Sequence, residues 1–267
     1  MDKKTVDVTR DRAISSFLTD EYADSALDMG FRSIASYVDG FKPTGRKVLY
    51  TARKLNLMTE MKVSRLAARV AEMTQYLHGE GSAEGVIKGL AQSFVGANNV
   101  SLLVPEGTFG TRHIPEAAAS RYISTRLQPI VKKIFSDDDD TVLIEQVFEG
   151  DVIEPRYFLP TLPMLLINGS DGIGSGYAQK ILPRDPKAMI ATLEKLLAGK
   201  KAKVPAPSFV GFVGTVESDE EPGSWKIVGK FERVGRTKIK ITELPIGYTL
   251  ASYVKKLDDL VESHVIK

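Results

Sequence analysis

The sequence predicts an α/β chain, α+β in arrangement and built in two parts, on three observations. Over residues 20–91 apolar side chains recur at helical spacing. Behind them Val100-Ser101-Leu102-Leu103-Val104, with Gly107 and Gly110, reads as a short strand and its turns. From about residue 148 prolines and strand-like runs replace the helical pattern. A chain of 267 residues is long enough to bury a core in each of two sub-domains.

Taken in order, residues 1–20 read as an N-terminal arm, polar at Asp2, Lys3, Lys4, Asp7, Arg10, Asp11 and Arg12. Over 20–37, Tyr22, Ala23, Ala26, Leu27, Met29 and Ile34 fall at near-helical spacing. Pro43 sits where a first helical turn tolerates proline, and Arg46-Lys47-Val48-Leu49-Tyr50 continue that helix. Val63, Leu66, Ala67, Val70, Ala71 and Met73 line one face of the next helix. A break at 76–81 leads to another, through Ala83, Val86, Ile87, Leu90 and Ala91. Two helices joined by a tight glycine-containing turn form a helix-turn-helix, and the β-rich stretch behind them makes a wing. A winged helix can lay its second helix in a DNA groove; a hairpin used only for packing is the plainer alternative.

The winged-helix part is placed at 21–149 and a second α/β part at 150–267. There Pro155, Pro160 and Pro163 punctuate an expected strand, Met164-Leu165-Leu166-Ile167, with turn signals at Asn168-Gly169 and Gly172-Ile173-Gly174. A helix over 186–198 and strands over 209–216, 225–228 and 238–242 follow.

Composition narrows the function classes. With 43% hydrophobic and 26% charged residues the chain is an ordinary globular one. No apolar run reaches the roughly 18–20 residues that span a membrane, and no secretory signal is visible. No cysteine is present, which excludes disulfides and thiolate metal sites; His78, His113 and His264 are too scattered for zinc. The net charge of +2 hides an asymmetry. Residues 31–70 hold nine Lys/Arg against two acids, and residues 137–154 hold eight acids and no base. This suggests a polyanion-binding face and an acidic face turned away from it; a merely solvated surface is the bland alternative. The acidic turn 137–140 reads as surface rather than a metal site.

One constellation carries chemistry. In Ala117-Ala118-Ala119-Ser120-Arg121-Tyr122 a guanidinium stands beside a phenol after a run of little bulk. The amphipathic stretch 123–130 behind it is expected to be helical, which puts Tyr122 at a loop-to-helix junction. A phenol with pKa about 10 is a weak nucleophile unless a neighbour helps. Adjacent guanidinium stabilises phenolate and the charge building on a phosphoryl group under attack.

Around this site the sequence resembles the DNA-cleaving part of type IIA topoisomerases, over roughly residues 20–250. Val38-Asp39-Gly40-Phe41-Lys42-Pro43 with Arg46-Lys47-Val48-Leu49 is similar to its DGLKP…QR(K/R)VL element, and Tyr76-Leu77-His78-Gly79-Glu80 to its YHHGE element. Then come Leu90-Ala91-Gln92-Ser93-Phe94-Val95-Gly96-Ala97-Asn98-Asn99, Gly107-Thr108-Phe109-Gly110-Thr111-Arg112 and Ala119-Ser120-Arg121-Tyr122-Ile123. Pro163-Met164-Leu165-Leu166-Ile167-Asn168-Gly169, Gly172-Ile173-Gly174-Ser175-Gly176 and Ile241-Thr242-Glu243-Leu244-Pro245 complete the family order. The flavour is that of eukaryotic and T-even-like phage enzymes.

The resemblance implies a winged-helix DNA-cleavage domain followed by the start of a tower-like α/β domain, truncated at its end. It implies that Tyr122 is the nucleophile forming a phosphotyrosyl link to DNA, with Arg121 stabilising transition-state charge and His78 positioning the scissile phosphate. Leu77 replaces the family's first histidine. Lys42, Arg46 and Lys47 are expected on backbone phosphates, which position DNA without reading sequence. Ile173, between two glycines, is expected to wedge between base steps. Mg²⁺ and ATP are both expected on a separate TOPRIM/ATPase subunit. Glu149-Gly150-Asp151 looks like part of that acidic site, but Val152-Ile153 follow and it lies behind the tyrosine, so it is set aside. The implied partners are double-stranded DNA, a second copy in a homodimer, and that TOPRIM/ATPase subunit. No membrane partner is expected, and the implied location is the cytoplasm of a bacterium or phage-infected host. The start at Met1, about twenty residues before the match, suggests separate subunits. A non-catalytic winged-helix DNA-bending protein and a partner-assembly module are the alternatives.

Overall fold

The computed structural model describes residues 13–266. Residues 1–12 of the expected arm lie outside the described residues; the rest of it forms helix α1, Ile14–Thr19, followed by α2, Glu21–Ser33.

Helix α3, Pro43–Lys54, starts on a proline whose missing N–H costs nothing in a first turn. It buries Val48, Leu49 and Ala52. Strand β1, Met61–Lys62, leads into α4, Val63–Thr74, which buries Val63, Leu66, Ala67, Val70 and Thr74, positions that fall on one helical face. Gln75 ends α4 with φ +48°. After the turn, α5, Glu80–Ala91, buries Ala83, Ile87 and Ala91. Strands β2, Leu103–Glu106, and β3, Ser124–Leu127, close a three-stranded antiparallel sheet in the order β1-β3-β2. Helix, strand, helix pair and two strands joined by a long wing loop make a winged helix. Leu49, Leu66, Ile87, Leu102 and Leu103 are among its most deeply buried side chains, and such a side chain contributes about 1.5–3 kcal/mol.

Beyond the sheet, α6, Val131–Ile134, and a 3₁₀ turn, Asp138–Thr141, precede a hairpin of β4, Val147–Phe148, and β5, Asp151–Val152. Its two turn residues, Glu149 and Gly150, both have positive φ. Helix α7, Met164–Asn168, then leads into the hairpin β6, Ser170–Ile173, with β7, Ala178–Ile181. Helix α8, Pro186–Leu197, is capped by the Asp185 carboxylate on the Ala188 N–H. Two further hairpins, β8 (Thr215–Ser218) with β9 (Trp225–Val228) and β10 (Lys230–Val234) with β11 (Lys238–Glu243), precede α9, Leu250–Glu262. Thr249 and Ser252 cap α9 reciprocally.

Several expectations are corrected. Met164-Leu165-Leu166-Ile167 is helix, not strand: Leu166 and Ile167 donate back to the Pro163 carbonyl. A short apolar run buried on several sides has no periodicity to tell the two apart. The stretch 123–130 is not helical. It is β3 with a turn, and its Leu127 and Gln128 N–H groups go to the Leu57 and Leu102 carbonyls. Tyr122 therefore stands at a loop-to-strand junction. The run 209–216 is mostly turn, broken at Gly211 with φ +82°, and becomes strand only at Thr215. Strand β10 escapes sequence reading because all five of its residues are exposed and show no alternation.

Candidate active site

Tyr122 lies at the return of the wing, on the loop 107–123 between β2 and β3, and the residue is 67% exposed. The loop is held at many points. Gln92, on the end of α5, donates to the carbonyls of Phe109 and Pro115, both at 2.9 Å. Gly110 has φ +88°, and a Cβ there would lie 2.5 Å from the Pro115 oxygen, so a side chain is excluded. Around the tyrosine, helix α4 offers its first free N–H groups. Val63 donates to the Ile123 carbonyl at 3.1 Å and Ser64 to that of Ser120 at 3.4 Å. The Lys62 ammonium donates to the Tyr122 carbonyl at 3.0 Å. The backbone on both sides of the phenol is thus pinned to α4 while the ring projects outward. Arg121 lays its guanidinium over that ring, 4.9 Å from the centroid. Cation and phenol are brought together as expected.

His78 is exposed in the turn between α4 and α5, edge-on to Tyr76 at 5.5 Å. The Tyr76 hydroxyl donates to Ser82 Oγ at 3.0 Å, which ties the turn to the start of α5. His78 lines an open cleft of about 480 Å³ together with Arg32, Thr44, Lys47, Gln75 and Phe148.

The basic residues differ from the expectation. Arg46 is not a surface contact. It is 7% exposed and forms a bidentate pair with the fully buried Asp39, Nε to Oδ2 at 2.7 Å and Nη2 to Oδ1 at 3.0 Å. Asp39 also accepts from the Phe41 and Phe158 N–H groups, so this pair cross-links the loop before α3 to a segment over a hundred residues away. Lys47 lines the cleft, but its ammonium is already held by the Thr74 carbonyl and the Glu154 carboxylate, both at 2.8 Å. Burial pushes the Glu154 carboxyl up from the ordinary carboxylate range, and Lys47 opposes that rise. Lys42 donates to the Asp171 carbonyl at 2.7 Å, reaching the hairpin that carries Ile173.

The acidic block does not face away from the basic one. Asp137 and Asp140 pair with Arg53 at 2.9 and 3.1 Å, and Glu154 pairs with Lys47. Charge separated along the sequence is brought together in space by the segment 137–154 folding across α3. Among the described residues no group of three His, Cys, Asp or Glu side chains is placed to hold a metal ion.

Ile173 is 80% exposed at the end of β6. Gly172 explains how the hairpin is held: a Cβ there would lie 2.1 Å from the Ser33 carbonyl oxygen, so glycine lets the strand sit against the end of α2. The motif glycine therefore packs the base of the hairpin and leaves the isoleucine free at its tip.

Other motif residues are clamps that sequence reading did not assign. Asn99 donates to the Arg184 and Ser208 carbonyls and accepts from the Val210 N–H. Asn168 exchanges two hydrogen bonds with the Val100 backbone. Arg112, on the wing loop, forms an ion pair with Glu243 and donates to the Leu244 carbonyl, with its guanidinium over the Phe212 ring at 5.6 Å. Burial pushes that guanidinium below its ordinary value.

The family model for the A-type subunits of DNA gyrase and topoisomerase IV matches residues 32–267. The chain belongs to this family. It is 43% identical over 245 residues to the DNA topoisomerase 2 of Saccharomyces cerevisiae, covering 91% of this chain and 17% of that one. It is 41% identical over 254 residues to the mitochondrial DNA topoisomerase 2 of Dictyostelium discoideum, covering 94% of this chain and 20% of that one. A crystal structure of the Plasmodium falciparum topoisomerase II DNA-binding, cleavage and re-ligation domain superposes with TM-score 0.87 at 36% identity. The match covers 92% of this chain and 34% of that one. The chain thus spans about a fifth or less of the length of these curated relatives. The family membership extends to the winged-helix and α/β architecture described above. No helix among the described residues is long and apolar enough to cross a membrane.

Proposed function

We propose that this chain is the DNA-cleavage and religation part of an ATP-dependent type IIA topoisomerase. The observation that carries the reading is Tyr122: an exposed phenol on a wing pinned at both sides, with the Arg121 guanidinium against its ring. The phenol gives up its proton as its oxygen attacks a backbone phosphorus, a new P–O bond to tyrosine forms, and the bond to one deoxyribose oxygen breaks. That oxygen leaves as a hydroxyl once protonated. The link keeps the bond energy of the phosphodiester, so the reverse attack reseals the strand without external energy. Arg121 stabilises the charge on the phosphoryl oxygens, and His78, exposed at the cleft, donates a hydrogen bond to phosphate.

Helix α5, second of the helix pair, enters the DNA groove, as in other winged helices. Ile173 is the wedge that opens a base step, supported by its exposure at a hairpin tip. Lys42 and Lys47 serve as orienting groups already fixed by protein acceptors. Two copies in a homodimer cut both strands, and a second duplex passes through the break. Mg²⁺ and ATP are held by a TOPRIM/ATPase partner; this chain's Asp137 and Asp140 bond Arg53 and do not fit a metal. The divisions 21–149 and 150–267 are the domains we assign, and a bacterial or phage-infected cytoplasm is the setting.

The test is covalent trapping. The assembled enzyme, Mg²⁺ and end-labelled duplex are mixed and quenched with detergent. A protein–DNA adduct with the parent and none with Tyr122→Phe is expected. Adduct at the parent level in Tyr122→Phe would remove the nucleophile.

A further inference from the structure

Ser120 immediately precedes Arg121 and Tyr122, yet unlike them it is buried, 5% exposed. Its hydroxyl donates to Glu84 Oε2 at 2.7 Å. That length is within the ordinary range of a well-formed O–H···O bond. Glu84 lies in the first turns of α5, Glu80–Ala91, the helix that begins two residues after His78. The Ser120 carbonyl accepts from the Ser64 N–H at the start of α4. Ser120 is therefore held from two helices at once, by its backbone to α4 and by its side chain to α5. The α4 contacts hold the backbone at the return of the wing against the helix pair. The Glu84 contact joins the side chain two residues before the nucleophile, across 36 residues of sequence, to the helix that follows the His78 turn.

We propose that Glu84 is a positioning residue for the cleavage reaction, setting the placement of Arg121 and Tyr122 relative to α5 through the Ser120 hydroxyl. This rests on the reading of Tyr122 as the nucleophile. Glu84 itself touches neither reacting atom. Its effect belongs to the chemical step, because small misplacements of a reacting group cost rate far more than they cost binding. What the position needs is an acceptor for the hydroxyl, which a glutamine amide oxygen also supplies.

The experiment measures the rate of adduct formation and the DNA affinity of the complete enzyme with Mg²⁺, in the parent, Glu84→Gln, Glu84→Ala, Ser120→Ala and the Glu84→Ala/Ser120→Ala double variant. A loss of adduct rate of about tenfold to a hundredfold is expected for Glu84→Ala and Ser120→Ala, with DNA affinity and melting temperature within twofold and about two degrees of the parent. Glu84→Gln restores most of the rate, and the double variant is no slower than either single one. Parent rate in Glu84→Ala overturns the proposal, as does Glu84→Gln as slow as Glu84→Ala, multiplicative losses in the double variant, or a loss confined to affinity or melting temperature. Absence of any Tyr122-dependent adduct in the parent fails the nucleophile itself, a different result, and takes the role of Glu84 with it.

Discussion

At the scale of single residues, two buried ion pairs, Lys47–Glu154 and Arg46–Asp39, limit what this chain tolerates. Lys47 and Glu154 have side-chain exposures of 14% and 4%. Removing one partner leaves a buried charge uncompensated, so Lys47→Met should destabilise by about 3–5 kcal/mol in urea unfolding, and Lys47→Met/Glu154→Gln by clearly less. The Glu154 carboxyl is raised above its unfolded value, chiefly by burial. Its contribution to stability is then full below the unfolded value, about 4.3, and is lost as pH rises through the folded value. The stability of the parent relative to Glu154→Gln should accordingly fall between acid and neutral pH; a difference that rises with pH would contradict this sign. Arg46→Lys should fail to replace Arg46, since an ammonium cannot make the bidentate contact with Asp39. Loss of stability comparable to Arg46→Ala is the expected result. These pairings were not legible in the sequence. A Lys/Arg-rich helix reads as a surface because nothing local marks the acids 84 to 107 residues downstream that cover Arg53 and Lys47, and nothing in the sequence shows that Asp39, seven residues before Arg46, is buried with it.

At the scale of elements, the faces of α4 and α5 followed from periodicity because each has one buried side and one wet side, whereas α2 keeps helical spacing with no buried residue. The same rule failed at Met164-Leu165-Leu166-Ile167, where Met164, Leu165 and Ile167 are all buried, and at β10, where every residue is exposed. The hairpin β6–β7 separates two roles that a Gly-Ile-Gly motif merges. Gly172→Ala places a methyl against the Ser33 carbonyl and should cost stability, seen as a lower melting temperature. Ile173→Ala removes an exposed side chain and should leave unfolding within about 0.5 kcal/mol of the parent while reducing DNA bending. Equal bending by Ile173→Ala and parent, measured by fluorescence transfer between duplex ends, would remove the wedge.

On the scale of the whole molecule, the wing that carries Tyr122 is tied to three places: α4 through Val63 and Ser64, α5 through Gln92 and Glu84, and the end of β11 through Arg112. The motifs stood in order along the sequence, which made the family legible. Their mutual contacts did not, because Arg112 and Glu243, 131 positions apart, meet only once the chain between them has folded. Arg112→Ala should loosen the wing without moving the sheet. Faster amide exchange over 107–122 with unchanged protection in α4 would report it, and unchanged exchange in the wing would show that the tie is redundant. The central claim is that all this scaffolding exists to present one phenol. Its most direct test is to digest the trapped protein–DNA adduct with nuclease and protease and sequence the modified peptide by mass spectrometry. The account predicts a nucleotide phosphate on Tyr122 alone; a nucleotide on any other residue would contradict it.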